Sequence, residues 1–186
     1  GLLPEGSLQL VSGAVPGLFA LLGLGDAVGF TGSASTAAGL RAQAASGVRF
    51  TSETDSINAS VLGPDAVPGT AEFDAYAKQL FVELTTKAGQ KCTAIRRAIV
   101  PEGTVDALVD AVRERLARVV IGDPHAEQVT MGPLVSLAQR DEVLRQVAAL
   151  QDAGGTMLLG STDAPEVVRA DGSVGAAPDG AFLAPL

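Results

Sequence analysis

The sequence has very few of the side chains that build disulfides, zinc sites and histidine-dependent active sites. It contains one cysteine, Cys92, one histidine, His125, and no tryptophan. A single cysteine cannot form an internal disulfide, and no Cys/His cluster exists to hold zinc, so we expect no metal site. His125 lies in a polar Gly-Asp-Pro-His segment, where a lone histidine is usually a surface residue. Without a second histidine, we expect no Ser–His or Cys–His pair.

Basic residues and long apolar runs are also scarce. The 13 Lys and Arg residues face 21 Asp and Glu, a net charge of −8, which argues against a nucleic-acid partner. The longest apolar stretch, AVPGLFALLGLG, is interrupted by Pro16 and glycines and is shorter than the roughly 20 residues of a membrane span. No signal peptide is recognisable. The short apolar stretch leads us to expect no membrane partner. A free thiol suits a reducing compartment, so we expect a cytoplasmic location.

The remaining composition is that of a folded domain. Hydrophobic residues make up 47% of the 186 residues and aromatic residues only 4%, so a core has to be built from Ala, Val and Leu. The chain starts without a methionine and stops on apolar residues, from which we expect a piece of a longer protein at both ends.

The pattern of the first 55 residues indicates a parallel α/β sheet. Predicted strands at 7–13, 26–33 and 47–53 alternate with predicted helices at 16–25 and 34–45. Short glycine-bearing joints connect them, as is typical of α/β proteins.

The rest of the chain predicts further strands at 57–66, 96–102 and 156–161, with helices between them. The first helix ends near Gly89 and carries one apolar stripe at helical spacing: Phe73, Tyr76, Ala77, Leu80, Phe81 and Leu84. A second helix covers 104–119 with Thr104 as its N-cap, and a third covers 137–155. The Gly/Asp/Pro-rich segment 161–180 predicts a surface loop or hairpin.

Cys92 lies just past the first of these helices, in a polar Gln-Lys-Cys-Thr segment. An exposed thiol beside Lys91 could react as a thiolate. Free cysteines are nevertheless often buried and act as small apolar side chains. The residues alone leave both roles open.

Two further segments are candidates for a site at the carboxyl ends of the predicted strands. Glu53 ends the third strand, where α/β proteins bind ligands and where a carboxylate can act as a general base; a solvated strand-end acid is the alternative. The joint Thr31-Gly32-Ser33 leads from a strand into a helix whose first N–H groups can hold a phosphate. Such joints are common, so this signal is weak by itself.

Together, these segments resemble the aldehyde dehydrogenase superfamily. FTGS at 30–33, the glutamate of SETDSINASVL and the Gly-Gln-x-Cys loop of AGQKCTAIRRAIV occur in the family's order. The segments VVIGDP, MGPLVS and GAFLAPL are similar to its later landmarks. The usual Gly-Gly-Lys after the glutamate is replaced by Asp55-Ser56-Ile57. That departure resembles a narrower branch, the dehydrogenase domain of bifunctional ring-opening enzymes of phenylacetate degradation, with a related branch in benzoate breakdown.

The resemblance implies a fold, a cofactor and a mechanism. The fold is α/β, with residues 1–55 as the second half of a Rossmann-type cofactor domain and 56–186 as the first part of a catalytic domain. Cys92 is the nucleophile, Glu53 the general base, and Thr31, Gly32 and Ser33 lie beside the cofactor. That cofactor is NAD or NADP, with the narrower branch favouring NADP. The substrate is a small-molecule aldehyde, in that branch a CoA-linked semialdehyde.

The resemblance also implies limits on this chain. The oxyanion-binding amide and other cofactor-binding elements belong to segments outside it, so we expect the isolated chain to be inactive, and the full-length parent to be a homo-oligomer. Two other functions fit the same residues. One is a thiol-dependent esterase or acyltransferase without redox chemistry, and the other is a non-catalytic α/β interaction domain.

Overall fold

A computed structural model describes residues 2–13 and 15–186, and the chain divides into two compact units, 1–55 and 56–186. The division falls between Asp55 and Ser56, where the sequence analysis also divides the chain. The assignment of the units to a cofactor domain and a catalytic domain stays a prediction. No helix within the described residues has both the length and the apolar character needed to cross a membrane.

The first unit is built on two parallel strands. Strand β1 (Ala27–Gly32) pairs with β2 (Arg49–Thr54), and helix α1 (Ala34–Gln43) connects them. The Arg41 guanidinium lies 5.1 Å from the centroid of the Phe50 ring and donates a hydrogen bond to the Phe50 carbonyl at 3.0 Å. This cation–π contact fixes the helix against β2.

Two predictions for the start of the chain are wrong or too long. Residues 7–13 form no strand, and Leu8 and Leu10 are exposed. A strand needs a hydrogen-bonding neighbour, and within the described part of this unit β1 and β2 pair only with each other. Of the helix predicted at 16–25, one 3₁₀ turn forms, Leu18–Leu21. The surrounding glycines disfavour a longer helix because glycine loses most backbone freedom on folding.

The second unit has its core between two helices and a short parallel strand pair. Strand β3 (Ala59–Val61) pairs with β4 (Arg97–Ile99), and α2 (Ala71–Thr85) packs on α3 (Val105–Leu116). The buried core residues come from the stripes that the sequence predicts and from the loop after β3: Leu62, Ala66, Phe73, Ala77, Leu108 and Val112. The predicted stripe of α2 therefore faces the core. Phe73 and Ala77 are buried, and the rest of the stripe is partly buried: Tyr76, Leu80, Phe81 and Leu84.

Local capping decides where these helices begin. The Thr70 hydroxyl accepts a hydrogen bond from the Phe73 N–H and caps α2. Thr104 precedes α3 as predicted, but its hydroxyl donates to the Pro101 carbonyl instead of capping the helix. The prediction of a Thr104 side-chain cap is wrong because Thr104 has a helical backbone, with φ −109° and ψ −4°, and not the extended backbone of a capping residue.

The last third of the chain contains one helix and one hairpin. Helix α4 (Leu137–Asp152) is followed by β5 (Glu166–Val168) and β6 (Val174–Ala176), which pair antiparallel as the predicted hairpin. Residues 156–161 form no strand, so that prediction is wrong. Gly122 bridges to Val168 so closely that a Cβ would lie 2.2 Å from the Val168 carbonyl oxygen, which explains the glycine of the Gly-Asp-Pro segment.

Candidate active site

The predicted site residues of the first unit lie together at the carboxyl ends of its two strands. Thr31 is the register partner of Glu53, and Gly32 is the partner of Thr54. The Thr31, Ser33 and Glu53 side chains are all exposed. Parallel strands present such residues at one edge of the sheet, which is where α/β proteins bind ligands. The structure thus brings Glu53 and the Thr31–Ser33 joint together, and their roles stay predictions.

Ser33 is the N-cap of α1. Its Oγ accepts a hydrogen bond from the Thr36 N–H at 3.1 Å and donates one to the Thr36 hydroxyl at 2.8 Å. The serine is thus needed to start the helix, whether or not it contacts a ligand. Gly32 next to it leaves room for the Phe30 ring, because a Cβ there would lie 2.6 Å from that ring.

Asp55 is a residue of this edge that the sequence analysis missed. Its carboxylate accepts hydrogen bonds from the Ala34 N–H at 3.2 and 3.3 Å, and its φ of 38° is left-handed. Asp and Asn adopt this region more readily than most residues. Asp55 stands where the family motif has glycine, which is the signal that could have identified a left-handed position. The first N–H group of α1 is therefore already bound to an anion of the chain itself.

Cys92 belongs to the second unit and lies on a tight loop between α2 and β4. It is exposed and is the free cysteine of the chain. It occupies the second position of a turn closed by a hydrogen bond from the Ala94 N–H to the Lys91 carbonyl at 3.2 Å. Before it, Lys87, Ala88 and Gly89 all have left-handed backbone angles. Non-glycine residues hold such angles only where the surroundings impose them, as they do at many functional loops.

Asn58 holds this loop from the strand side. Its side-chain amide donates to the Cys92 carbonyl at 2.7 Å and to the Ala94 carbonyl at 3.1 Å. Its own carbonyl accepts the N–H groups of Arg96 and Arg97 at 2.9 and 3.0 Å. One residue thereby fixes the turn around the thiol and the start of β4.

Arg96 holds the same loop from a second direction. Its guanidinium donates to the Gly89 carbonyl at 3.2 Å, to the Lys91 carbonyl at 3.0 Å and to the Ser56 hydroxyl at 3.3 Å. Asn58 and Arg96 are both present in the segments that carry the family resemblance, but the sequence analysis gave them no role, because their contacts depend on the fold.

Gln90 and Lys91, which directly precede Cys92, anchor the loop to two other segments. Gln90 accepts the Val135 N–H at 2.8 Å and donates to the Lys87 carbonyl at 2.9 Å, which ties the loop to the Gly-Pro-Leu-Val segment. The Lys91 ammonium forms an ion pair with Glu83 at 2.9 Å. The Lys91 charge is therefore paired with a carboxylate, and Lys91 anchors the loop to helix α2.

Glu83 is the buried end of that anchor. It is 8% exposed, and its Oε1 also accepts the Gln79 amide at 2.9 Å. Its Oε2 has no hydrogen-bond partner within the described residues. Glu83, Gln90 and Arg96 line a cavity of about 460 Å³, but Cys92 does not. The exposure of the thiol on its loop, and not this cavity, therefore defines the candidate site.

Comparison with protein families gives a match to the aldehyde dehydrogenase family over residues 2–176. The chain is 44% identical over 179 residues to the 3,4-dehydroadipyl-CoA semialdehyde dehydrogenase of Aromatoleum evansii, covering 95% of this chain and 35% of that protein. It is 36% identical over 166 residues to N-succinylglutamate 5-semialdehyde dehydrogenase of Vibrio cholerae, covering 84% and 33%. The chain thus spans about a third of the length of these relatives.

Solved structures give the same result for the fold. Betaine aldehyde dehydrogenase of Staphylococcus aureus, crystallised with NAD+, aligns with a TM-score of 0.71 at 25% identity, covering 86% of this chain and 29% of that one. A 1-pyrroline-5-carboxylate dehydrogenase from Thermus with bound NAD aligns with a TM-score of 0.65 at 26% identity, covering 86% and 29%. The α/β fold and the family resemblance inferred from the sequence are confirmed. The chain belongs to the aldehyde dehydrogenase family.

Proposed function

We propose that the protein containing this chain oxidises an aldehyde to a carboxylic acid, with Cys92 as the nucleophile and a nicotinamide cofactor as the oxidant. The observation that carries the proposal is the placement of the single thiol in a chain of this family. It is exposed, on a loop whose carbonyl groups are held by Asn58 and Arg96. A buried structural cysteine would need none of these contacts.

The chemistry follows from the residue types. The Cys92 thiolate bonds to the aldehyde carbon, and the resulting oxyanion accepts a hydrogen bond from the Cys92 N–H. A bound nicotinamide cofactor supplies the hydride acceptor that turns this thiohemiacetal into a thioester. Glu53 removes a proton from water, the water attacks the thioester, and the Cys92 thiolate leaves. Aldehyde, oxidised cofactor and water give acid, reduced cofactor and a proton.

The strand–helix joint of the first unit offers groups that suit such a cofactor. The exposed hydroxyls of Thr31 and Ser33 flank Gly32, which carries no side chain, so a polar phosphate or ribose group can approach the backbone. The Ala34 N–H is already bound to Asp55. We therefore assign cofactor contacts at this joint to the two hydroxyls and the glycine.

We propose a CoA-linked semialdehyde as the substrate class, because the relative at 44% identity is named for one. The structures that resemble this chain contain NAD, whereas the narrower branch favours NADP. The single free thiol suits a reducing compartment, so we place the reaction in the cytoplasm.

The test is made on the protein that contains this chain. It measures the absorbance of reduced cofactor at 340 nm with CoA-linked and simple semialdehydes, each with NAD and with NADP. We expect turnover that requires aldehyde and that Cys92→Ala abolishes. Thr93→Ala is the matched control, since it removes an exposed side chain from the next position of the same turn. Cofactor reduction that survives Cys92→Ala would overturn the proposal. Cys92-dependent ester hydrolysis without any cofactor reduction would show a thiol esterase instead.

Glu53→Gln separates the two halves of the reaction. If Glu53 activates the water, the variant should form about one equivalent of reduced cofactor rapidly and then slow, because the thioester accumulates. A typical general-base contribution predicts a steady-state rate lower by a factor of roughly 10²–10⁴. Mass spectrometry of the trapped protein should show the acyl group on Cys92. An unchanged steady-state rate would remove Glu53 from this role.

A further inference from the structure

Two side chains donate hydrogen bonds to four carbonyl groups around the thiol. Arg96 donates to those of Gly89 and Lys91, and Asn58 donates to those of Cys92 and Ala94. Four carbonyl oxygens of the loop are thereby directed to hydrogen-bond donors of the chain. Carbonyl oxygens left free beside a reacting aldehyde would repel the negative charge that develops on its oxygen.

The bond from Arg96 to Lys91 determines more than the position of one carbonyl. In a planar trans peptide the C=O of one residue and the N–H of the next point in opposite directions. The Lys91 carbonyl accepts from Arg96 at 3.0 Å and from the Ala94 N–H at 3.2 Å. The N–H of Cys92 belongs to the same peptide unit and must point away from both donors. No acceptor for it is found among residues 2–13 and 15–186.

Arg96 is suited to this task by its charge and by its anchoring. Its three partners in the described structure are neutral oxygens, and it forms no ion pair there with a carboxylate. Ser56, which supplies one of these oxygens, stands where the family motif has glycine, so a glycine would leave the Arg96 Nε without this partner. The planar guanidinium can hold two separate carbonyls in a fixed geometry, which a lysine ammonium cannot do in the same way.

We propose that Arg96 is a positioning residue that orients the Lys91–Cys92 peptide, so that the Cys92 N–H is held ready to donate to the oxyanion. The expected effect of Arg96 on catalysis rests on the proposed function, whereas the orientation of the Lys91–Cys92 peptide does not. The cation also polarises this peptide through its carbonyl, which strengthens the N–H as a donor. Arg96 itself contacts neither substrate nor cofactor in this mechanism.

The key variant is Arg96→Lys, which keeps the charge and removes the fork. Removing an oxyanion donor outright lowers kcat by roughly 10²–10³, so misdirecting one should lower kcat about tenfold or more, with little change in KM. Alkylation of Cys92 by iodoacetamide forms no oxyanion, so its rate should stay within about twofold of the unmodified protein. Peptide mapping by mass spectrometry assigns the alkylation rate to Cys92, the one cysteine of these 186 residues.

Arg140 provides the matched control. Its Nη1 holds two loop carbonyls of the same unit, those of Pro178 and Gly180, both at 2.8 Å, and its Nε and Nη2 contact Asp141. Arg140→Lys makes the same residue change away from the thiol loop and should leave kcat unchanged. Equal kcat for Arg96→Lys and the unmodified protein would overturn the proposal. A parallel fall in alkylation rate and kcat would also overturn it, because it would indicate general disruption of the loop.

A structural measurement decides the case even without turnover. Selective labelling with ¹⁵N-cysteine gives one amide signal per cysteine, and the signal that disappears in Cys92→Ala is that of Cys92. We expect this peak to move or split in Arg96→Lys and to stay in place in Arg140→Lys. An unmoved peak would overturn the positioning role. If no aldehyde and cofactor give turnover in the protein that contains this chain, the proposed function fails while this peak still tests the orientation of the peptide.

Discussion

The side-chain amide of Asn58 donates a 2.7 Å hydrogen bond to the carbonyl of Cys92, 34 residues further along the chain. The same amide holds the Ala94 carbonyl at 3.1 Å, and the Asn58 carbonyl receives the first two N–H groups of the β4 segment. The loop that carries the only thiol is therefore built against this one residue, on the strand side of the second unit.

Asn58→Asp should destabilise the protein, because a carboxylate of the same shape cannot donate to two carbonyls and repels both. The loss of two hydrogen bonds, which leaves two acceptors unsatisfied, should lower the free energy of unfolding by about 2–3 kcal/mol, measured by urea denaturation. Tyr76→Phe is the control, since it removes one bond to the Ser60 carbonyl of the neighbouring strand β3 and should cost about 1 kcal/mol. Equal stability losses for both variants would argue against the special role of Asn58.

Lys91→Met should be more damaging than its partial exposure suggests. It leaves Glu83, which is 8% exposed, as a buried carboxylate bound only by the Gln79 amide. Breaking a buried pair by removing one partner typically costs about 3–5 kcal/mol, and Lys91 is only partly buried, so we expect about 3 kcal/mol. Adding Glu83→Gln to Lys91→Met should recover part of the loss in thermal unfolding. A double variant less stable than Lys91→Met would show that charge burial is not the cause.

Asp55→Asn should tighten cofactor binding if the cofactor phosphates approach the start of α1. Asn accepts a left-handed φ and can still bind the Ala34 N–H, so the fold is kept while one negative charge is removed. Two unit charges about 4 Å apart in water interact by about 1 kcal/mol, which sets an upper limit of roughly fivefold in Kd.

A cofactor titration at low and high salt checks the Asp55 prediction. The increase in cofactor affinity of Asp55→Asn should become smaller at high salt, because salt screens the charges. Asp26→Asn makes the same charge change beside the amino end of β1, at the opposite edge of that sheet, and should leave Kd unchanged. Equal effects of the two substitutions would mean that only the net charge matters and that the joint does not hold the phosphates.

Glu142, on helix α4, should make the stability of the protein depend on pH. Hydrogen bonds from Arg145 and then Gln146 lower the pKa of Glu142 from 4.5 to about 2. A group whose pKa is lower in the folded state stabilises the protein fully above the unfolded value, and that contribution is lost as the pH falls toward 2. Relative to Glu142→Gln, the unmodified protein should lose its advantage between about pH 4.5 and 2. A difference in stability between the two proteins that stays constant over this pH range would contradict the lowered pKa of Glu142.

Helices α1 to α4 and the Gly-Gln-x-Cys motif of the family were the parts most readily predicted. The α2 stripe, including Phe73 and Ala77, follows from helical spacing alone, and the core confirms it. The strands at 7–13 and 156–161 were wrong because a short apolar run shows that a segment can pair, not that a neighbour is available. Thr104 has the right residue type and position for a cap, but its hydroxyl bonds Pro101 instead.

The sequence by itself determined the single thiol, its motif and the family, because these depend on residue identity and order. It also determined helices α1 to α4, since their hydrogen bonds are local and their periodicity is visible in any short window. Only the tertiary structure decided which side chains hold the Cys92 loop. Asn58 and Ser56 reach it from more than 30 residues away, and such contacts form only after the strands have paired and the chain has closed the intervening loop.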